Sequence, residues 1–315
     1  MKQDVLIRAE QLYRYYGENC AVKGVSFDVR RGEVLGFLGP NGAGKSTTMQ
    51  MLTGNLAPSS GQVWINGLDL LDRPKQAKRG LGYLPEAPPL YRELTVKEYL
   101  AFCARLNYIP RNQQTKAIAS AVERCGLKEV TKRLIGNLSK GYQQRVGIAQ
   151  AIIHSPSVII LDEPTVGLDP IQIREIRELI RELAQEHSVI LSTHILPEVQ
   201  TICDRVQIIN QGELVLTDTI AGLSQRMEST SVLVRFDNPP ATEVLMSLRG
   251  VENVASQGDG RIRLRYRPEQ DPVDELVRRA VNENWRLREL TPERRTLEEI
   301  FVSITQTEDQ QEAAA

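Results

Sequence analysis

Two kinds of apolar pattern alternate along most of the chain. Val34–Leu38, Val158–Leu161 and Val189–Ser192 are nearly unbroken apolar runs of strand length, which predicts strands covered on both faces. Residues 46–52, 96–106, 113–125, 143–153 and 171–186 instead carry apolar positions at helical spacing. The last of these is strongly amphipathic, with Glu and Arg interleaved on its polar face. Asn137-Leu138-Ser139 is a helix start signal just before the fourth. Val5 to Val29 holds short alternating stretches, predicting strands of an antiparallel sheet. Gln62–Ile65 with Asn66-Gly67 predicts a strand and tight turn, and 206–216 a hairpin around Asn210-Gln211-Gly212.

After about residue 227 the rhythm changes. Strands are predicted at 231–236, 251–256, 261–266 and 285–290, and helices at 241–248 and 272–284. The order β-α-β-β-α-β matches a ferredoxin-like unit. A further helix is predicted over 295–305, followed by a polar tail at 307–315. Arg261, Arg263, Arg265 and Arg267 alternate with other residues, so a strand there puts four arginines on one face. That face reads as solvated or ion-paired. A nucleic-acid surface is disfavoured, since the unit is acidic and has no stacking aromatics on that face.

Composition supports two units. At 315 residues the chain has room for two domains, with an ordinary globular balance of 41% hydrophobic and 25% charged residues. The net charge of −1 gives no general pull toward nucleic acid or anionic lipid. It is unevenly spread: residues 1–227 carry 27 basic and 23 acidic side chains, residues 228–315 carry 12 and 17. Cys20, Cys103, Cys125 and Cys203 are far apart and form no C-x-x-C pair, which argues against zinc or thioredoxin-like chemistry. With no signal peptide, four free thiols fit a reducing cytosol. No apolar run approaches 18 residues, so work at a membrane would need a membrane-embedded partner.

The chemistry starts at Gly39-Pro40-Asn41-Gly42-Ala43-Gly44-Lys45-Ser46-Thr47, a full G-x-x-x-x-G-K-[ST] loop between an expected strand and helix. Glycines let backbone N–H groups turn toward phosphate oxygens, and the helix N-terminus adds partial positive charge. Lys45 can reach the β- and γ-phosphates and Ser46 can offer its hydroxyl to Mg²⁺. The strand 158–161 ends in Asp162 and Glu163, where an α/β sheet presents functional groups. Asp162 is placed to hold Mg²⁺, and Glu163 to orient or deprotonate a water. Leu138-Ser139-Lys140-Gly141-Tyr142-Gln143-Gln144-Arg145 is a helix start with a good N-cap and a close-approach glycine. By itself it reads either as an anion site or as a capped helix and nothing more.

The phosphate loop, Leu138–Arg145, Asp162-Glu163, Gly167-Leu168-Asp169 and Ser192-Thr193-His194 together resemble the nucleotide-binding subunit of an ATP-binding-cassette (ABC) transporter. The resemblance covers roughly residues 3–222, and the Leu138–Arg145 signature is its most specific element. It implies that Tyr16 stacks on adenine, and that Ser139 and Gly141 contact the γ-phosphate of ATP held by a second copy. It also implies that Asp169 bridges the copies and that His194 bonds the γ-phosphate and helps position Glu163. Glu86 stands where the family usually has Gln, as a further candidate for Mg²⁺ or water. Lys140 and Tyr142 replace a usual Gly and Gln, and Val166 is a mild change. Residues 86–138 resemble the helical subdomain, in which Pro88, Pro89, Leu90, Tyr91 and Leu94 would contact a short helix of the membrane subunit. Tyr83–Glu86, Gly136-Asn137 and the ending Thr296–Phe301 resemble the single-cassette exporter branch.

The expectation is therefore an α/β protein: a P-loop ABC-ATPase core at 1–224, with a mixed sheet, an antiparallel β subdomain and a helical subdomain. A ferredoxin-like α+β accessory domain at 228–306 and a tail at 307–315 follow. ATP and Mg²⁺ are the expected cofactors. A polytopic permease and a second copy of the chain are the expected partners, at the cytoplasmic face of a membrane, with no nucleic acid. The rival reading is a soluble ATP-driven switch on nucleic acid or ribosomes. Such proteins usually carry two cassettes or long coiled-coil insertions, and this chain has neither.

Overall fold

The computed structural model describes residues 4–226, 231–257, 259–267 and 269–293. The chain divides into two compact units, 1–220 and 221–315. Among the described residues no helix is long and apolar enough to cross a membrane.

In the first unit, β1 (Val5–Tyr16) and β2 (Asn19–Arg30) precede β3 (Val34–Leu38) and α1 (Lys45–Leu52). Then come β4 (Ser60–Ile65), β5 (Leu68–Asp69), α2 (Pro74–Ala77) and β6 (Leu81–Leu84). Three helices follow, α3 (Val96–Leu106), α4 (Arg111–Arg124) and α5 (Lys140–Ile152). The unit continues through β7 (Val158–Asp162), α6 (Pro170–Ala184), β8 (Ser188–Thr193), α7 (Leu196–Ile202), β9 (Arg205–Asn210) and β10 (Glu213–Thr219). Helix α8 spans Ile220–Arg226.

The six-stranded sheet has the order β10-β9-β3-β8-β7-β6 and is mixed: β10 pairs antiparallel with β9, and the other neighbours are parallel. Every residue of β3, β7 and β8 is buried, which is why these strands read as unbroken apolar runs. Their register sets out the site. Leu38 lies opposite Thr193, and Asp162 opposite Ser192, so the C-terminal ends of β3, β8 and β7 form one row. Helices α6 and α7 pack on β8, α1 packs against β7 and β8, and α3, α4 and α5 pack on one another.

The second sheet, β2-β1-β4-β5, is antiparallel. Its strands β1 and β2 are single twelve-residue strands, longer than the short stretches expected. The reason is a bulge. Gln11 adopts φ 48° between Ala9 and Leu12, and both apolar neighbours stay inside although they lie three positions apart, an odd spacing that a regular strand would put on opposite faces. Gly61 is needed opposite the bulge: at φ +93°, a Cβ there would lie 2.2 Å from the Gln11 carbonyl oxygen. Ile7, Leu12, Val25 and Phe27 join Leu35, Phe37, Met49 and Leu52 in one core between the sheets.

The second unit holds β11 (Ser231–Phe236), α9 (Thr242–Met246), β12 (Val251–Gln257), β13 (Arg261–Tyr266), α10 (Val273–Asn282) and β14 (Leu287–Glu293). Its sheet is antiparallel throughout, in the order β12-β13-β11-β14, over a core that includes Val234, Phe236, Leu264, Leu276 and Trp285. Trp285 does not open the last strand as the pattern suggested. Asn284 and Arg286 take φ of 57° and 54°, which breaks extended geometry, and the Trp285 ring packs edge-on against Phe236. Arg261, Arg263 and Arg267 pair with Glu289, Glu293 and Glu252 at 3.1, 2.6 and 2.8 Å. The helix expected over 295–305 and the tail at 307–315 lie outside the described residues.

Candidate active site

The loop Gly39–Thr47 leaves β3 and runs into α1. Two of its glycines are fixed by space: a Cβ on Gly39 would lie 2.4 Å from the Ile209 carbonyl oxygen, and one on Gly44 2.7 Å from that of Ala21. Gly44 is also the N-cap of α1, at φ 102°, and no side chain caps that helix. Its first N–H groups are therefore available to an anion. Lys45 is buried. Its Nζ donates to the carbonyls of Gly39 at 2.8 Å and Pro40 at 3.1 Å, and lies 3.4 Å from Glu163 Oε1.

Glu163 is the residue just past β7, only 5% exposed, with φ 48°. A left-handed glutamate is strained backbone of the kind that clusters at functional sites. Its N–H donates to Ser192 O at 2.9 Å, which holds the strained turn to β8. Its other oxygen, Oε2, is 2.9 Å from His194 Nδ1. One carboxylate thus sits between an ammonium and an imidazole, at the mouth of the phosphate loop.

Asp162 is 2% exposed, and its Oδ1 has no hydrogen-bond partner among the described residues. Burial pushes its carboxyl above the usual carboxylate range. The Ser192 and Ser46 hydroxyls oppose that shift, and the nearby charges of Glu163 and Glu86 add to it. The Ser46 hydroxyl and the exposed Glu86 carboxylate therefore both act on Asp162, Ser46 by hydrogen bonding and Glu86 by its charge.

Ser139, Gly141 and Asp169 form a separate group. Ser139 caps α5, its Oγ accepting from Tyr142 N at 3.4 Å. Asp169 caps α6, its Oδ1 accepting from the N–H groups of Ile171 and Gln172 at 3.0 and 2.9 Å. Gly141 lets the helices meet, since a Cβ there would lie 2.7 Å from Gln172 Cδ. The three line a cavity of ≈ 390 Å³ together with Arg145 and Gln172, and no phosphate-loop residue lines it. Tyr16 ends β1 and is 47% exposed, with the Arg14 guanidinium 4.9 Å from its ring centroid.

In the sequence, Ser192 stands out only within the Ser192-Thr193-His194 run, with no role of its own, and Glu198 is not singled out. Ser192 faces Asp162 only because β8 lies beside β7. Glu198 looks like an exposed helix residue in the sequence, yet it is fully buried, with Oε2 accepting from Thr193 Oγ1 at 2.9 Å. His154 and His187 lie elsewhere, each against a backbone carbonyl, and burial lowers both pKa values.

A buried lysine facing a glutamate across a glycine loop, at the C-terminal ends of the parallel strands, defines a P-loop nucleotide-binding protein. Relatives narrow the class. The family model described as "ABC transporter" matches residues 22–166. The linearmycin resistance ATP-binding protein LnrL of Bacillus subtilis (strain 168) is 32% identical over 305 residues, covering 95% of this chain and 98% of that protein. The bacitracin transport ATP-binding protein BcrA of Bacillus licheniformis is 42% identical over 211 residues, covering 66% of this chain and 68% of that one. Among solved structures, cbiO1 from Clostridium perfringens, described as part of the ABC transporter complex cbiONQ, superposes with a TM-score of 0.65 at 30% identity. It covers 70% of this chain and 91% of that one. The chain belongs to the ABC transporter family, as an ATP-binding subunit whose ATP hydrolysis drives transport.

Proposed function

We propose that this subunit closes as a dimer around two ATP molecules and drives a separate polytopic permease as an exporter, docked at the cytoplasmic face of the membrane. The observation that carries the reading is the Glu163 carboxylate, held 3.4 Å from Lys45 Nζ and 2.9 Å from His194 Nδ1. ATP would draw Lys45 from the Gly39 and Pro40 carbonyls onto its phosphates, while the N–H groups of residues 39–47 cradle them. That frees Glu163 to accept the proton of the attacking water, with His194 orienting it and bonding the γ-phosphate. Tyr16 would stack on adenine, with Arg14 over its ring.

Mg²⁺ fits the residues present. Asp162 Oδ1 is a buried acceptor without a partner, the Ser46 hydroxyl faces the same carboxylate, and Glu86 adds charge nearby. Two carboxylates and a hydroxyl suit an ion that takes its remaining ligands from phosphates and water. Once bound, the ion would neutralise charge developing on the phosphoryl oxygens.

Ser139 and Gly141 would meet the γ-phosphate of the second copy, and Asp169 would cross to that copy. Their shared cavity, apart from the phosphate loop, favours this trans role. Export is supported by the relatives named for bacitracin transport and linearmycin resistance. We assign residues 1–224 as the ATP-binding domain, 86–138 as its helical subdomain and 228–306 as the accessory domain. The accessory strand order β12-β13-β11-β14, all antiparallel, supports the ferredoxin-like reading.

Glu163→Gln tests the whole. It should bind Mg-ATP, turn it over roughly 10²–10⁴-fold more slowly, and run as a nucleotide-dependent dimer on size exclusion. A variant that hydrolyses normally would sink the assignment.

A further inference from the structure

We propose that Glu198 is a positioning residue for hydrolysis: it acts through Thr193 to hold His194 against Glu163, and through Arg177 it ties that turn to α6. The inference rests on the roles assigned to Glu163 and His194 above. Glu198 is 0% exposed, in the first turn of α7. A carboxylate taken fully out of water is costly unless its oxygens are paired. Both are paired here. Oε2 accepts from Thr193 Oγ1 at 2.9 Å, and Oε1 accepts from Arg177 Nη2 at 3.3 Å.

The Thr193 hydroxyl does a second job. Its oxygen also accepts from Ile195 N at 3.0 Å, so one buried hydroxyl grips the chain on both sides of His194. Glu198 fixes the direction of that hydroxyl by taking its proton, because the Ile195 N–H on the other side can only donate. The proton of Thr193 must point to Glu198, which leaves its lone pairs for Ile195. The turn then has one setting, and that setting leaves His194 Nδ1 2.9 Å from Glu163 Oε2. Arg177 lies on α6, the helix whose N-cap is Asp169. The same relay therefore joins the His194 turn to the helix that carries the proposed contact with the second copy. A merely stabilising ion pair would need no hydroxyl link to this turn, since apolar packing serves stability equally well.

Steady-state ATPase kinetics on the full chain test the relay. Thr193→Val keeps the branched shape and leaves the Arg177–Glu198 pair in place. It should lower kcat by about 10-fold, in the range of residues that orient a functional group, with KM for Mg-ATP changed less than about twofold. Thr193→Ser, which restores the hydroxyl, should recover most of that loss. Glu198→Ala should match Thr193→Val, and in a His194→Ala background neither should lower kcat further. Where Glu198→Ala does not fold, Thr193→Val carries the comparison alone. Wild-type kcat in Thr193→Val, or losses that multiply with His194→Ala, overturns the relay while leaving Glu163 and His194 in their roles. Wild-type kcat in His194→Ala removes the role of His194 and the relay with it.

Discussion

Single side chains at this site are held at some cost, and Asp162 shows it most clearly. Burial dominates its titration and favours the neutral acid, so its folded pKa lies above the unfolded value. The stability it lends is full below the ordinary carboxylate range and is lost as pH rises through the folded pKa. At neutral pH the ionised side chain is therefore a net cost in the nucleotide-free chain, which a cation would offset. Asp162→Asn should raise the melting temperature at pH 7.5, by about 2–4 °C for each kcal/mol removed, while abolishing Mg²⁺-dependent hydrolysis. The gain should shrink toward about pH 4, where the native carboxyl is itself protonated. Thermal unfolding at the two pH values checks both the sign and the window. A lower melting temperature at pH 7.5 would mean that the Ser46 and Ser192 hydroxyls outweigh burial.

At the scale of elements, two helix caps of the same chemistry have different uses. Thr95 and Glu98 form a reciprocal box at the start of α3: Thr95 Oγ1 accepts from Glu98 N at 3.3 Å, and Glu98 Oε2 accepts from Thr95 N at 2.9 Å. Nothing in the proposed chemistry depends on it. Thr95→Ala should cost about 1 kcal/mol, read as a lower denaturant midpoint, with ATPase activity preserved once folded. Ser139 caps α5 with a longer bond of 3.4 Å and stays exposed. Ser139→Arg should leave ATP binding to the monomer near normal but block closure on the second copy by bulk and charge. Mixed with Lys45→Ala chains, it should give at most one working composite site per dimer. Equal loss of monomer nucleotide binding in Ser139→Arg and Lys45→Ala would exclude a trans role.

For the whole molecule, the question is what the second unit adds. It has its own sheet and its own core around Phe236, Leu264, Leu276 and Trp285, and none of the proposed ATP-site residues lies in it. A chain ending near Gln225 should therefore fold, bind ATP and keep most of its basal hydrolysis, while assembly with the membrane partner or its regulation is lost. The informative measurement is size exclusion of the truncated chain with Mg-ATP in the Glu163→Gln background. A dimer there means an accessory module. Failure to dimerise means that the unit is an obligate part of the motor.

The sequence alone determined those features whose chemistry is contiguous or periodic. The phosphate loop needs adjacent glycines and a lysine, buried parallel strands need unbroken apolar runs, and α6 needs its amphipathic stripe; all three are visible in any reading of the chain. Position across the sheet is a different kind of information. That β8 lies between β3 and β7, bringing Ser192 to Asp162 and His194 to Glu163, depends on pairing between segments far apart in the chain. The bulge at Gln11 and the turn that turns Trp285 inward came from local backbone conformations that no apolar pattern encodes. Glu198 is the sharpest case. Its letter and its place after Pro197 suggest solvent. Only the packing of α6 and α7 against β8 takes that carboxylate out of water and supplies the hydroxyl and guanidinium that make its burial tolerable.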